Sequence, residues 1–123
     1  MINSYNIETI LAEKIETVLR RGVFNSRMKD FYDIYYFLTK LRKEIDINVL
    51  KEAMDNTFTK RNSFEYLNDY EQIIDSIIGN ERIEKLWNIY SNKYKYANGI
   101  DINEILNLLK DIIKELYFDL VTV

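Results

Sequence analysis

Lys14, Arg27, Lys29, Asp30 and Asp33 are the residues of this chain whose types and spacing could do chemistry. At 100° per residue, Ile7, Ile10, Leu11, Ile15 and Val18 form an apolar helical stripe with Lys14 in its middle. A lysine can snorkel from the edge of such a stripe, but its centre is harder to escape. An ammonium held there must meet a carboxylate, a phosphate or a water-filled cleft, because an unpaired buried charge is strongly unfavourable. Asp33 poses the converse question. It falls between Tyr36 and Phe37 on the wheel of a helix that is apolar almost all the way round. Asp30 stands in that helix's first turn, where the dipole favours a carboxylate, and Lys29 can pair with Asp33 at i, i+4. A lysine on a neighbouring helix would explain Asp33, and Lys14 is the obvious candidate. Together they would make a polar pocket between two helices, which serves either as a structural ion pair or as a phosphate site.

Composition removes most other chemistry. With no histidine and no cysteine, imidazole acid–base catalysis, Ser-His and Cys-His nucleophiles, disulfides and cysteine-based zinc sites are excluded. Three glycines leave no glycine-rich loop to wrap phosphates. A net charge of −3 gives no global attraction to nucleic acid, so any such contact would be local. No apolar run approaches the ~18 residues of a membrane span, and the amino terminus has no signal-peptide pattern. A cytoplasmic protein is the expectation. The ten tyrosines carry little weight by themselves, since Ile, Asn, Lys and Tyr are all abundant.

The elements that must position these residues read as five or six helices in one all-α domain spanning 1–123, without proline to break them. The first helix is expected from Ile7 to Arg21, with Gly22 at its C-cap. Asn25 or Ser26 would cap a second, Arg27 to Leu41, whose two apolar faces suit a central position. Asp46 or Asn48 opens a third, Val49 to Phe58. After a polar break at 59–63, a fourth runs from Phe64 to Ile78 and ends at Gly79-Asn80. A fifth, Glu81 to Tyr94, carries Trp87. Asn98-Gly99 turns the chain, and Asp101 with Glu104 has capping-box spacing for a last helix, Ile102 to Leu120. Any strand would lie in the last few residues.

Leu11-Ala-Glu-Lys14 followed by Asn25-Ser-Arg-Met-Lys-Asp-Phe-Tyr-Asp33-Ile resembles the nucleotidyltransferase toxins of the AbiEii/AbiGii abortive-infection type. In that family an "A-E-K" helix precedes an "N-S-R-x-K-D-x-Y-D-L" helix across a short loop. Here both appear in order, with Ile34 in place of leucine. Thr57-Phe58 and Arg61, the Trp87 helix and the last helix also resemble the family's C-terminal portion. The resemblance implies the helical C-terminal domain of a polymerase-beta-like nucleotidyltransferase, the toxin of a phage-defence or toxin–antitoxin pair. Such enzymes move a nucleotide from an NTP to an acceptor, in some relatives the 3′ end of tRNA. By the same resemblance Lys14 would hold NTP phosphates, with Arg27 and Lys29 adding charge for triphosphate or RNA. Asp30 and Asp33 would be the acidic catalytic pair, orienting Lys14 or assisting the acceptor hydroxyl.

The family also carries, upstream, a Gly-Gly-Ser turn and an Asp-x-Asp strand that binds magnesium. Neither motif occurs here; Glu44-x-Asp46 lies in a loop and reads as solvated surface, because metal catalysis needs a rigid carboxylate pair. The expectation is a C-terminal part of such a toxin that holds no metal or cofactor of its own and is inactive alone. Mg²⁺ and NTP would belong to the full-length family architecture, and the missing nucleotidyltransferase part, an antitoxin and tRNA are the expected partners. The competing reading is a non-catalytic helical module that binds an antitoxin or the other half of a split enzyme, or is a decayed remnant. Trimming of a catalytic domain would expose apolar surface and favour homo-oligomers. Free-standing RNA binding is disfavoured by a pI near 5.1.

Overall fold

A computed structural model describes residues 6–118, and among them every regular element is helical. Seven α-helices follow one another: α1 Ile7–Arg21, α2 Met28–Thr39, α3 Ile47–Lys60, α4 Phe64–Asn68, α5 Tyr70–Ile77, α6 Glu81–Lys93 and α7 Ile102–Tyr117. Three 3₁₀ turns, Gly22–Phe24, Arg42–Glu44 and Lys95–Ala97, join some of them. The all-α expectation holds. The strand considered for the last few residues falls outside the described residues.

Local chemistry explains most boundaries. The side chains of Asn6, Asp46, Asn80 and Asp101 each accept a backbone N–H of the helix they precede, meeting donors that a first turn leaves unpaired. Gly22 closes α1 by returning its N–H to the Val18 carbonyl, at φ 53° and ψ −134°, a conformation side chains oppose. At the end of α3, Asn62 takes a left-handed φ of 53° and Ser63 N–H reaches back to the Phe58 carbonyl.

Four details correct the sequence reading. The expected fourth helix is two helices, interrupted at Asp69; Asn68 and Asp69 are poor helix formers, and the Asp69 N–H is shared between the Glu65 and Leu67 carbonyls. The Asp101–Glu104 capping box is half made: Asp101 accepts from Asn103 N–H, and Glu104 contributes only its backbone. Asn25 does not cap α2 directly. Its wholly buried side chain accepts the N–H of Arg27, one residue ahead of the helix, and so shapes the turn that leads into it. α2 ends at Thr39, whose hydroxyl donates back to the Tyr35 carbonyl at 2.7 Å.

α1 lies at the centre of the bundle, against α2, α3, α4 and α5, while α2 also packs on α7 and α6. Leu11, Ile15 and Val18 of α1, Phe31 and Ile34 of α2, Leu50, Met54 and Phe58 of α3, and Ile105, Leu106, Leu109 and Ile113 of α7 are wholly buried together. The only tryptophan, Trp87, ties α6 to the loop before α7 by donating its indole N–H to the Ile100 carbonyl at 2.7 Å. No described helix is long and apolar enough to cross a membrane.

Candidate functional site

The buried side of α1 is not centred where its apolar stripe suggested. Glu8, Leu11, Ala12, Ile15, Glu16, Val18 and Leu19 are the buried residues, an arc of about 160° centred near Ile15. Lys14 therefore stands at the rim of the buried face rather than its middle, with its side chain 26% exposed. Ile7 and Ile10, which drew the stripe toward Lys14, are only half-buried. The rim position lets the aliphatic stem pack on α2 while the ammonium reaches a cleft.

Lys14 Nζ lies 2.9 Å from Asp33 Oδ2 and 3.8 Å from Asp30 Oδ1. Asp33 is also gripped by Lys29 Nζ, at 3.0 Å and 3.2 Å from its two oxygens. Arg27 Nε stands 3.8 Å from Asp30 Oδ2. The chain thus brings together all five residues singled out in its sequence, and the pairing of Lys14 with Asp33 is the one their helical positions implied. Their exposures differ sharply: Asp30 is buried, whereas Arg27 and Lys29 are well exposed. Asp30 Oδ2 has no hydrogen-bond donor although it is buried, an unusual state for a carboxylate oxygen.

Lys14 and Asp30 open into a cleft of about 260 Å³ whose lining also includes Glu13, Arg21, Arg27 and Arg61. Four cations face two carboxylates there, a locally basic site on an acidic chain. Arg21 and Arg61 were not legible as site residues, since α1's last turn and the 59–63 break meet only in the fold. Arg61 is fixed by Glu16, whose side chain is wholly buried and accepts from Arg61 at 2.7 Å and from Arg20 at 2.9 Å. Burial alone would raise the Glu16 pKa, but hydrogen bonds from Arg20 and Arg61 overcome it and hold the carboxyl below its ordinary value.

The opposite flank of Asp33 is aromatic. Tyr32, Tyr36 and Tyr96 enclose with Lys29 and Asp33 a groove of about 360 Å³. α2 is covered on more than one side, by α1, α6 and α7, but not here, where Tyr36 is 40% exposed. Behind the groove Tyr90 and Tyr96 share a hydroxyl hydrogen bond of 2.6 Å. Burial, then this bond, pushes the Tyr90 phenol far above its usual range, so it stays a neutral hydrogen-bonding group.

A compact ammonium between two carboxylates at the mouth of a basic cleft can exchange one anionic partner for another, as a phosphate-binding lysine must. The carboxylates present are a poor fit for magnesium. Asp30 and Asp33 each face lysine or arginine within 4 Å, and no group of three acidic side chains placed to hold a metal occurs among the described residues.

No curated protein and no solved structure gives a significant match to the chain. The family described as nucleotidyl transferase AbiEii toxin, Type IV toxin–antitoxin system, matches residues 1–112 of the 123. That span contains both motif helices, the Lys14–Asp33 pair and the basic cleft, and the chain belongs to the AbiEii nucleotidyl transferase toxins.

Proposed function

We propose that these helices supply the phosphate- and acceptor-side groups of a centre that transfers a nucleotide from an NTP to an acceptor such as the 3′ end of tRNA. The observation that carries this reading is the Lys14 ammonium, 2.9 Å from Asp33, at the mouth of a cleft with Arg21, Arg27 and Arg61. Lys14 would leave Asp33 in part to neutralise triphosphate oxygens, with Arg27 adding charge at the rim. Phosphoryl-group transfer depends chiefly on positioning and charge neutralisation, so a lysine contributes without forming a covalent bond. Asp33 would hold the ammonium between turnovers, and Asp30, which lines the cleft, would assist the acceptor hydroxyl. Magnesium would be held by the Asp-x-Asp carboxylates of the polymerase-beta-like part of the family architecture, not by these helices.

The 123-residue chain alone is then expected to transfer no labelled nucleotide from any NTP to tRNA in the presence of Mg²⁺. Joined to the family's catalytic part it should do so, and Lys14→Ala should reduce that rate about 10²–10³-fold, as loss of a charge-stabilising donor does. Turnover by the isolated chain would overturn the division of labour. A joined enzyme indifferent to Lys14→Ala would overturn the role of the lysine.

A second reading, a non-catalytic module that binds an antitoxin, draws on apolar side chains outside both clefts: Phe24 is 84% and Ile89 65% exposed. Under that reading Phe24→Ser weakens binding of the antitoxin while Lys14→Ala does not.

A further inference from the structure

The tyrosine groove on the far flank of Asp33 is not accounted for by phosphate binding or by the core. Tyrosines that only seal a helix seam are covered by it, yet Tyr36 and Tyr96 present 40% and 48% of their surface at a groove. The rings are nevertheless fixed. Tyr32 and Tyr96 lie 4.6 Å apart between centroids, and Tyr96 stacks on Tyr94 at 5.3 Å with a 29° tilt. Tyr36 leans on Tyr32 at 6.2 Å, and the Tyr96 hydroxyl is held by Tyr90. The groove is open, and its rings are set at angles to one another, 56° between Tyr32 and Tyr96 and 37° between Tyr32 and Tyr36, so that each offers its own face to a small planar ligand within about 360 Å³.

Its rim specifies the ligand further. Lys29 Nζ and the Asp33 carboxylate both line the groove, one a donor and the other an acceptor. An aliphatic segment of a protein partner would bury that ion pair without satisfying it, at a desolvation cost. A heteroaromatic ring with carbonyl and amine edges would stack on the phenols and use both polar groups. The groove also shares Asp33's helix with the basic cleft, so one ligand or two adjacent ones can present a ring on one side and phosphates on the other.

We propose that Tyr32, Tyr36 and Tyr96 form a nucleobase-stacking seat, which deepens and rests on the reading of the Lys14 cleft as a phosphate site. The base belongs either to the NTP or to a single-stranded RNA end. Stacking of a base on an aromatic side chain is sequence-tolerant, with each ring contributing roughly tenfold or more in affinity.

The test is NMR of the chain labelled uniformly with ¹⁵N and with ¹³C at tyrosine, titrated with inorganic tripolyphosphate, each of the four NTPs, and a single-stranded RNA trinucleotide with a free 3′ hydroxyl. Tripolyphosphate should perturb amides around Lys14 and leave the rings of Tyr36 and Tyr96 unmoved. The NTPs or the trinucleotide should shift those rings, and whichever does so identifies the source of the base. Tyr36→Leu, and separately Tyr96→Leu, should weaken the ring-shifting ligand about tenfold while tripolyphosphate binding stays constant. If nucleotides and RNA bind with the tyrosine rings unperturbed, the base seat is overturned and the phosphate cleft stands. If tripolyphosphate and every nucleotide leave the Lys14 region unchanged, the phosphate reading falls as well.

Discussion

Lys14 and Glu16 are two residues apart on α1, and only one of them announced itself. Lys14 was legible because a charge among Ile7, Ile10, Leu11, Ile15 and Val18 violates the helical pattern, and Asp33 was legible on α2 for the same reason. Glu16 was not. On the apolar stripe's own wheel it faces water, and its burial follows only once Ala12 and Leu19 are known to join the covered side. The fold then compensates it with Arg20, one turn away, and Arg61, from the end of α3. Glu16→Gln should leave the core packed but cost about 1–3 kcal/mol at neutral pH. The lower part of that range is favoured by the exposure of the partners, 40% for Arg20 and 38% for Arg61. The pH dependence gives the cause. A carboxyl held below its ordinary value near 4.5 stabilises the fold above that value and loses the contribution as pH falls through its lower, folded value. Urea melts of both proteins from pH 7 to pH 3 should therefore show a gap that is constant down to about 4.5 and then closes. A gap independent of pH would assign the effect to packing alone.

Among the elements, the loop between α1 and α2 decides whether Lys14 meets Asp33. Its first residue, Gly22, was recognisable from its place after the last apolar position of α1, but the conformation it takes was not. At φ 53° and ψ −134° it lies outside even the left-handed helical region that asparagine tolerates. A Cβ at this position would touch Ile73 Cγ2 at 3.8 Å, an ordinary contact, so any cost of a side chain comes from the backbone. Gly22→Ala should destabilise the protein by roughly 1–3 kcal/mol. Because the same loop sets the register of α2 against α1, the variant should also loosen the Lys14–Asp33 pair, visible as faster amide exchange at the start of α2 than in α7. Uniform loss of protection across both helices would place the effect on global stability only. The split between α4 and α5 was illegible for a different reason. Leu67, Tyr70, Ile74 and Ile77 keep helical spacing across Asp69, so the apolar pattern carries no trace of the break.

Across the whole molecule, each flank of Asp33 draws on parts of the chain remote in sequence: Arg61 for the basic cleft, Tyr96 for the aromatic groove. No single-sequence periodicity couples positions so far apart, which is why the Lys14–Asp33 pair and a polar pocket beside it could be anticipated, while the Arg61 side of that pocket and the aromatic groove could not. What holds these parts in place is the common core. α7 forms the wall behind α2, and its Leu109 is wholly buried in the core cluster. Leu109→Ala should therefore cost about 2–5 kcal/mol, the removed transfer energy plus the residual cavity, without touching either pocket. Two effects on ligand binding can be separated by temperature. Well below the lowered melting transition the packed fraction dominates, and tripolyphosphate affinity should equal that of the parent chain. Near the transition apparent affinity should fall with the folded fraction, as cooperative unfolding requires. Lys14→Ala should show the reverse pattern, with binding weakened at every temperature and a smaller change in melting. If Leu109→Ala weakens binding well below its transition, α7 sets the geometry of the Lys14 cleft directly and is more than a support for α2.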